Sequence, residues 1–138
     1  MRDIILASQS PRRRELLGTA GIEFEVCVSK VDEAINISEP VEYVQTLSRI
    51  KARAVAQSHP DSIVIGADTI VVIDGKILGK PRDAEDAFDI LSRLSGRTHE
   101  VYTGVSVICG GECETFFERT EVTMYENSDQ LIRDYIAT

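Results

Sequence analysis

The sequence predicts an α/β fold, a mixed and twisted β-sheet flanked by helices. Three observations carry this expectation. Short β-branched runs alternate along the chain with stretches whose apolar residues recur at helical spacing. Asp74-Gly75 and Gly110-Gly111 each lie between strand-like runs, the signature of tight hairpins, so the sheet is mixed rather than purely parallel. With 138 residues, 43% hydrophobic and 28% charged, the chain suits one soluble domain with a real core.

The first strand is expected at about residues 3–6. Ser10 caps the following helix and Pro11 takes its first position. Leu16, Leu17 and Ala20 give that helix an apolar side, and Gly18 or Gly21 stops it. Residues 24–28 read as a second strand and 32–36 as a polar connection. A long helix starts near Ser38-Glu39-Pro40, with Val41, Val44, Leu47, Ala54 and Val55 on one face and Lys51 on its later turns. His59-Pro60-Asp61 breaks it. Two β-branched runs follow at 63–65 and 70–73, interrupted by Gly66-Ala67-Asp68-Thr69. After the Asp74-Gly75 turn the chain returns through Lys76–Leu78. Asp83 caps a helix carrying Ala84, Ala87, Phe88, Leu91 and Leu94, which Ser95-Gly96 ends. Residues 99–107 and 115–125 form the arms of a hairpin, and Ser128 opens a last helix with Leu131, Ile132, Tyr135 and Ile136.

Chemistry concentrates first at the amino terminus. Arg12, Arg13 and Arg14 fall in the first helical turn, where the helix dipole is already positive. Each exposed charge there is unfavourable by about 0.3–1 kcal/mol. A bound anion removes the conflict, because free backbone N–H groups, the Ser8 and Ser10 hydroxyls and guanidinium forks all suit phosphate oxygens. The alternative is that the arginines extend to water or pair with surface acids. Arg49, Lys51 and Arg53 form a second basic island, and Lys80 and Arg82 a third, so a basic pocket can be assembled from them. A net charge of −8 argues against the extended basic surface that broad nucleic-acid binding needs.

The apolar run Ile4-Ile5-Leu6-Ala7 is too short for a signal-peptide core or a membrane span. An odd set of cysteines, Cys27, Cys109 and Cys113, fits a reducing, cytoplasmic compartment. Cys109-Gly110-Gly111-Glu112-Cys113 reads as a hairpin turn, with no second Cys/His pair to complete a zinc site.

Asp68 is the second focus. It interrupts two apolar runs, so its carboxylate is expected near a strand end or bend, and burying it demands a partner or a metal. Gly66-Ala67 before it permits close backbone approach, and a plain turn aspartate is the competing reading. Asp32-Glu33 is an acidic pair suited to a hard divalent cation, though such loop pairs are usually solvated. Lys80 sits in a tightly specified loop between Gly79 and Pro81, and a lone His99 is more often structural than catalytic. Glycine-rich phosphate loops, dinucleotide fingerprints and nucleophile elbows are missing, so phosphate must be held by arginines, lysines and a helix end.

In this order the pieces resemble the Maf family of nucleoside triphosphate pyrophosphatases over essentially the whole chain. The carriers are L-A-S-Q-S-P-R-R-R-E-L-L from Leu6 to Leu17, K-A-R-A-V-A from Lys51, I-G-A-D-T-I-V from Ile65, G-K-P-R-D from Gly79 and L-S-G-R-T-H-E-V from Leu94. The resemblance implies an inosine-triphosphatase-like (Maf/Ham1) architecture. It implies hydrolysis of a nucleoside triphosphate to the monophosphate and diphosphate, with Mg²⁺ or Mn²⁺ as cofactor. Matched residue by residue, Asp68 is the implied proton acceptor, and Arg12 and Thr69 are the implied base-selecting positions. Ser8, Arg13, Lys51 and Lys80 match phosphate-facing positions, and Glu33 with Asp68 the metal position. Asp-Thr after Gly-Ala resembles the branch that takes dTTP, UTP and modified pyrimidine nucleotides, not the 7-methyl-GTP branch with its Ser-Asp-Gln.

Family members run on beyond this chain, so a single domain over residues 1–138 lacking its C-terminal part is expected. The expected partner is a nucleoside triphosphate, with neither nucleic acid nor membrane, and a homodimer is the open oligomeric option. A non-catalytic nucleotide-binding regulator of septum formation or cell division is the rival reading the family implies. A nucleic-acid binder using the arginine helix is the other rival, and the −8 charge opposes it.

Overall fold

The computed structural model describes residues 3–8, 11–28, 36–79 and 82–137. In chain order they form β1 (Ile4–Ala7), α1 (Pro11–Thr19), β2 (Glu25–Val26), α2 (Pro40–Ala56), β3 (Ile63–Ile73), β4 (Lys76–Leu78), α3 (Ala84–Leu94), β5 (Thr98–Cys109), β6 (Glu112–Thr123) and α4 (Asp129–Ile136). The sheet runs β2-β1-β3-β5-β6, with β4 also paired to β3. β1 is parallel to both β2 and β3, while β4 is antiparallel to β3, so the expected mixed α/β sheet is present.

The chain divides into two compact units, one of residues 1–69 with 103–118 and the other of 70–102 with 119–138. In the first unit, Ile5, Ala7, Ala52, Val55, Val64 and Ile108 form the core, with Cys27, Ala56 and Cys113 packed against it. α2 begins because Glu39 caps it, its carboxylate accepting from the Val41 and Glu42 amides, with Pro40 at the first position. Val44, Leu47, Ser48, Ala52 and Val55 fall on one face at helical spacing and are the positions that α2 buries.

Two expectations fail in this unit. The apolar side of α1 is not buried as a face: Leu16 is 69% exposed and Ala20 is exposed, leaving Leu17 only partly covered. The second strand is shorter than expected, because Val26 and Val28 stay more than a third exposed and little burial extends the pairing. The expected caps Ser10 and the 32–35 connection lie outside the described residues.

The largest correction concerns β3. Residues 66–69 do not separate two strands; Ile63–Ile73 is one continuous strand of 11 residues, with Asp68 near its middle. Neither the strand-end nor the turn-aspartate reading holds. Gly66, within this strand, leaves room for the α2 backbone to lie directly against it.

In the second unit, Asp74 (φ 54°) and Gly75 (φ 74°) form the left-handed turn that joins β3 to β4, in the register Ile73↔Lys76 and Val71↔Leu78. Asp83 caps α3 by accepting from the Asp86 amide at 2.8 Å, and Ser128 caps α4 by accepting from Leu131 at 3.2 Å. The Arg133 guanidinium lies 4.2 Å from the Phe88 ring centroid, a cation–π contact joining these two helices. Of the apolar α4 positions, Ile132 is buried at 5% exposure, whereas Leu131 and Tyr135 stay exposed at 55% and 70%.

Candidate active site

β1 and β3 pair from Ile4↔Ile63 to Ala7↔Gly66, where β1 ends. β3 continues past that point with Ala67, Asp68 and Thr69. From β1 the chain crosses through α1 to β2 on one side, and from β2 it crosses through α2 to β3 on the other. The carboxyl end of β1 is thus the place where connections diverge, the position at which open α/β sheets form ligand crevices. Right-handed crossovers send α1 and α2 to opposite faces. Asp68 and Thr69, adjacent along a strand, likewise point to opposite faces, and each is met by a cation.

Lys51, on α2, donates from Nζ to Asp68 Oδ1 at 3.0 Å and to the Ala67 carbonyl at 3.5 Å. Arg13, on α1, donates from Nη1 to Ser8 Oγ at 3.0 Å and to the same Ala67 carbonyl at 3.4 Å, and from Nη2 to Thr69 Oγ1 at 2.7 Å. Burial pushes the Arg13 guanidinium below its ordinary value, and the charge of Asp68 opposes that shift. Asp68 is 8% exposed, and its Oδ2 is buried with no hydrogen-bond partner among the described residues. A buried carboxylate oxygen left open in this way fits a cation or an ordered water.

What holds Lys51 at this depth is bare backbone contact between α2 and the sheet. A Cβ on Gly66 would lie 2.4 Å from the Ser48 carbonyl oxygen and 2.8 Å from the Ala52 nitrogen. A Cβ on Gly104 would lie 2.3 Å from the Val44 carbonyl oxygen, one turn earlier on the same helix. Two glycines on adjacent strands therefore let α2 sit on the sheet without intervening side chains. Gly66 and Asp68 share one face of β3, and Ser48 and Lys51 lie one turn apart on α2, so the contact at Gly66 sets the reach of Lys51 to Asp68.

A hydroxyl chain fastens the same contact. Ser48 and Ser106 are fully buried at 0% exposure, with their hydroxyls 2.8 Å apart, and Ser106 lies 2.9 Å from Thr115 Oγ1. Ser48 donates to the Gln45 carbonyl at 3.0 Å, and Arg49 Nε donates to Thr115 at 3.4 Å. A donor at one end and an acceptor at the other give every proton in the chain one direction, from Thr115 through Ser106 to Ser48.

Of the residues singled out from the sequence, Ser8, Arg13, Lys51, Asp68 and Thr69 come together here. Arg12 is exposed on the same turn of α1 and makes no hydrogen bond or ion pair among the described residues. Glu33 and Lys80 lie outside the described residues, and among those described no three His, Cys, Asp or Glu side chains gather as a cation site. His99 is a buried residue of the second unit, and none of the three cysteines forms a disulfide. Sequence reasoning missed Thr103, whose hydroxyl lies 3.1 Å from that of Thr69, and the Ser48–Ser106–Thr115 chain. The available signal was Gly104, a glycine inside a strand, which marks close backbone approach.

The fold is that of the Ham1 protein of Staphylococcus aureus, whose structure superposes with a TM-score of 0.57 at 15% identity, covering 88% of this chain and 71% of that one. The chain belongs to the Maf family: the family's model, described as Maf-like protein, matches residues 3–138. Along its whole length it is 54% identical to the dTTP/UTP pyrophosphatase of Bacillus cytotoxicus. It is 52% identical to the proteins of the same name from Bacillus cereus and Bacillus anthracis. The chain spans 73% of the length of each of these relatives.

Proposed function

We propose that this protein is a nucleoside triphosphate pyrophosphatase that hydrolyses dTTP and UTP to the monophosphate and diphosphate. Its family membership and its 52–54% identity to proteins named dTTP/UTP pyrophosphatase support the reading. The observation that carries it in the site is Asp68, buried, paired through Oδ1 with Lys51 and open at Oδ2. A carboxylate held in this way accepts a proton from water at Oδ2 while its other oxygen stays fixed.

Cleavage between the α- and β-phosphates requires water to add at Pα and the β,γ-diphosphate to leave. Negative charge builds on the phosphate oxygens, and fixed cations offset it without reorganising. Arg13, Lys51 and Lys80 are those cations, and the Ser8 hydroxyl adds a hydrogen bond. Arg12 and Thr69 face the base or the sugar. Glu33 and Asp68 would hold a Mg²⁺ or Mn²⁺ ion. That ion would supply charge neutralisation and a more acidic bound water. A reducing, cytoplasmic setting suits the three thiols, and no described helix is long and apolar enough to cross a membrane.

The test is product analysis with dTTP, UTP, ATP, GTP and 7-methyl-GTP in the presence of Mg²⁺ or Mn²⁺. dTMP or UMP with pyrophosphate, formed in preference to the purine products, is the expected outcome. Release of orthophosphate with a nucleoside diphosphate would overturn the reaction, and equal turnover of all substrates would overturn the specificity.

A further inference from the structure

Thymine and uracil differ at the 5-methyl group, and dTTP and UTP differ again at the 2′-hydroxyl. A site that accepts both reads what they share, the base edge with a 4-carbonyl beside N3–H. Cytosine departs from them there, carrying a 4-amino donor beside an unprotonated N3. A reader of that edge needs a hydrogen-bond donor of fixed polarity aimed at the 4-position.

We propose that Thr103 is a specificity-determining residue, pairing with Thr69 as a two-hydroxyl reader that favours a base carbonyl over an amine; this rests on the dTTP/UTP reading above. Thr103 stands on β5, and its Oγ1 lies 3.1 Å from Thr69 Oγ1. Thr69 is exposed and Thr103 partly so, beyond the last β1–β3 pair, where a ligand has access.

The polarity of the pair follows from proton counting. A guanidinium only donates, so the 2.7 Å contact from Arg13 Nη2 makes Thr69 Oγ1 an acceptor. Two hydroxyls carry two protons and share one hydrogen bond, so one O–H stays available whichever threonine donates to the other. The Arg13 charge turns that proton outward and disfavours an approaching amine hydrogen. A lone threonine rotates its hydroxyl to suit either partner; with Arg13 and Thr103 both donating to Thr69 Oγ1, its two lone pairs are taken and only its O–H is left for a ligand. The result is an outward donor matched to a carbonyl oxygen.

Calorimetric titration of UTP and CTP, without divalent cation so that binding is read apart from turnover, tests this. Wild-type protein should prefer UTP. T103V keeps the side-chain shape and should lose about 3–10-fold in UTP affinity, the worth of one neutral hydrogen bond, with CTP nearly unchanged. T103S should restore the wild-type UTP:CTP ratio, and T103A should match T103V if the hydroxyl rather than the packing matters. An unchanged ratio in T103V and T103A, a parallel loss for both nucleotides, or a T103S that behaves as T103V would each overturn the proposal. So would a wild type that binds UTP and CTP equally or binds neither. A wild type that prefers UTP in binding yet releases no pyrophosphate would refute the catalytic reading and leave this one standing.

Discussion

Lys51 Nζ and Asp68 Oδ1 lie 3.0 Å apart with side-chain exposures of only 13% and 11%, joining the fourth turn of α2 to the middle of β3. An ion pair this dry depends on both partners. Removing either leaves a charge in a place that water reaches poorly.

For catalysis, Asp68→Asn keeps the shape and removes the proton acceptor. Turnover of dTTP should fall about 10²–10⁴-fold while dTTP affinity stays within a few-fold of wild type. Steady-state kinetics and a binding isotherm on the same preparation decide it. A near-normal kcat would return Asp68 to a structural role.

For stability, Lys51→Met strands the carboxylate and should cost about 3–5 kcal/mol. The double variant Lys51→Met with Asp68→Asn should recover much of that loss, since no isolated charge then remains. Urea midpoints for the four proteins give the coupling. A double variant no better than Lys51→Met would mean that the pair contributes packing alone.

The glycine contacts predict a second, independent loss. Gly104→Ala places a methyl group 2.3 Å from the Val44 carbonyl oxygen, which is backbone and cannot swing aside. Overpacking of this kind costs about 1–3 kcal/mol and lifts α2 from the sheet. Thermal melting should register the destabilisation, and kcat should fall with it because Lys51 rides on the same helix. Gly79→Ala, where among the described residues no atom beyond the chain neighbours lies within 4 Å of the added carbon, is the comparison that should melt like wild type.

The second unit carries a pH-dependent contact. Hydrogen bonds from Arg119 and Tyr102 hold the Glu100 carboxyl below its ordinary range. A depressed folded-state pKa contributes stability that is present above the usual glutamate value and is lost as pH falls through the lowered one. Glu100→Gln should therefore melt earlier than wild type near neutrality, and the gap should close in acid. A gap that stayed constant with pH would refute the ionic origin.

Most elements were legible because their signals are local. Glu39-Pro40 and Asp83 mark helix starts, Asp74-Gly75 marks a hairpin, and each acts through its own backbone. Asp68 was misplaced because a glycine and a carboxylate inside an apolar run look like a break. Only the arrival of α2 on Gly66 and of Lys51 on Asp68, from 17 residues away in sequence, makes a straight strand affordable there. The cations of the site were legible as charge clusters in the wrong place. Thr103 and Ser106 were not, since a threonine or serine in a strand carries no mark of the partner it will meet across the sheet.

The uninterrupted course of β3 also sets a clock. An amide inside a continuous strand exchanges with solvent only when the sheet opens, whereas a short helix such as α1, with Leu16 turned to water, opens far more often. Deuterium should therefore enter the Arg13 segment early and the Asp68 segment late. Asp68 thus sits on the slow-exchanging element of the site and Arg13 on the fast-exchanging one.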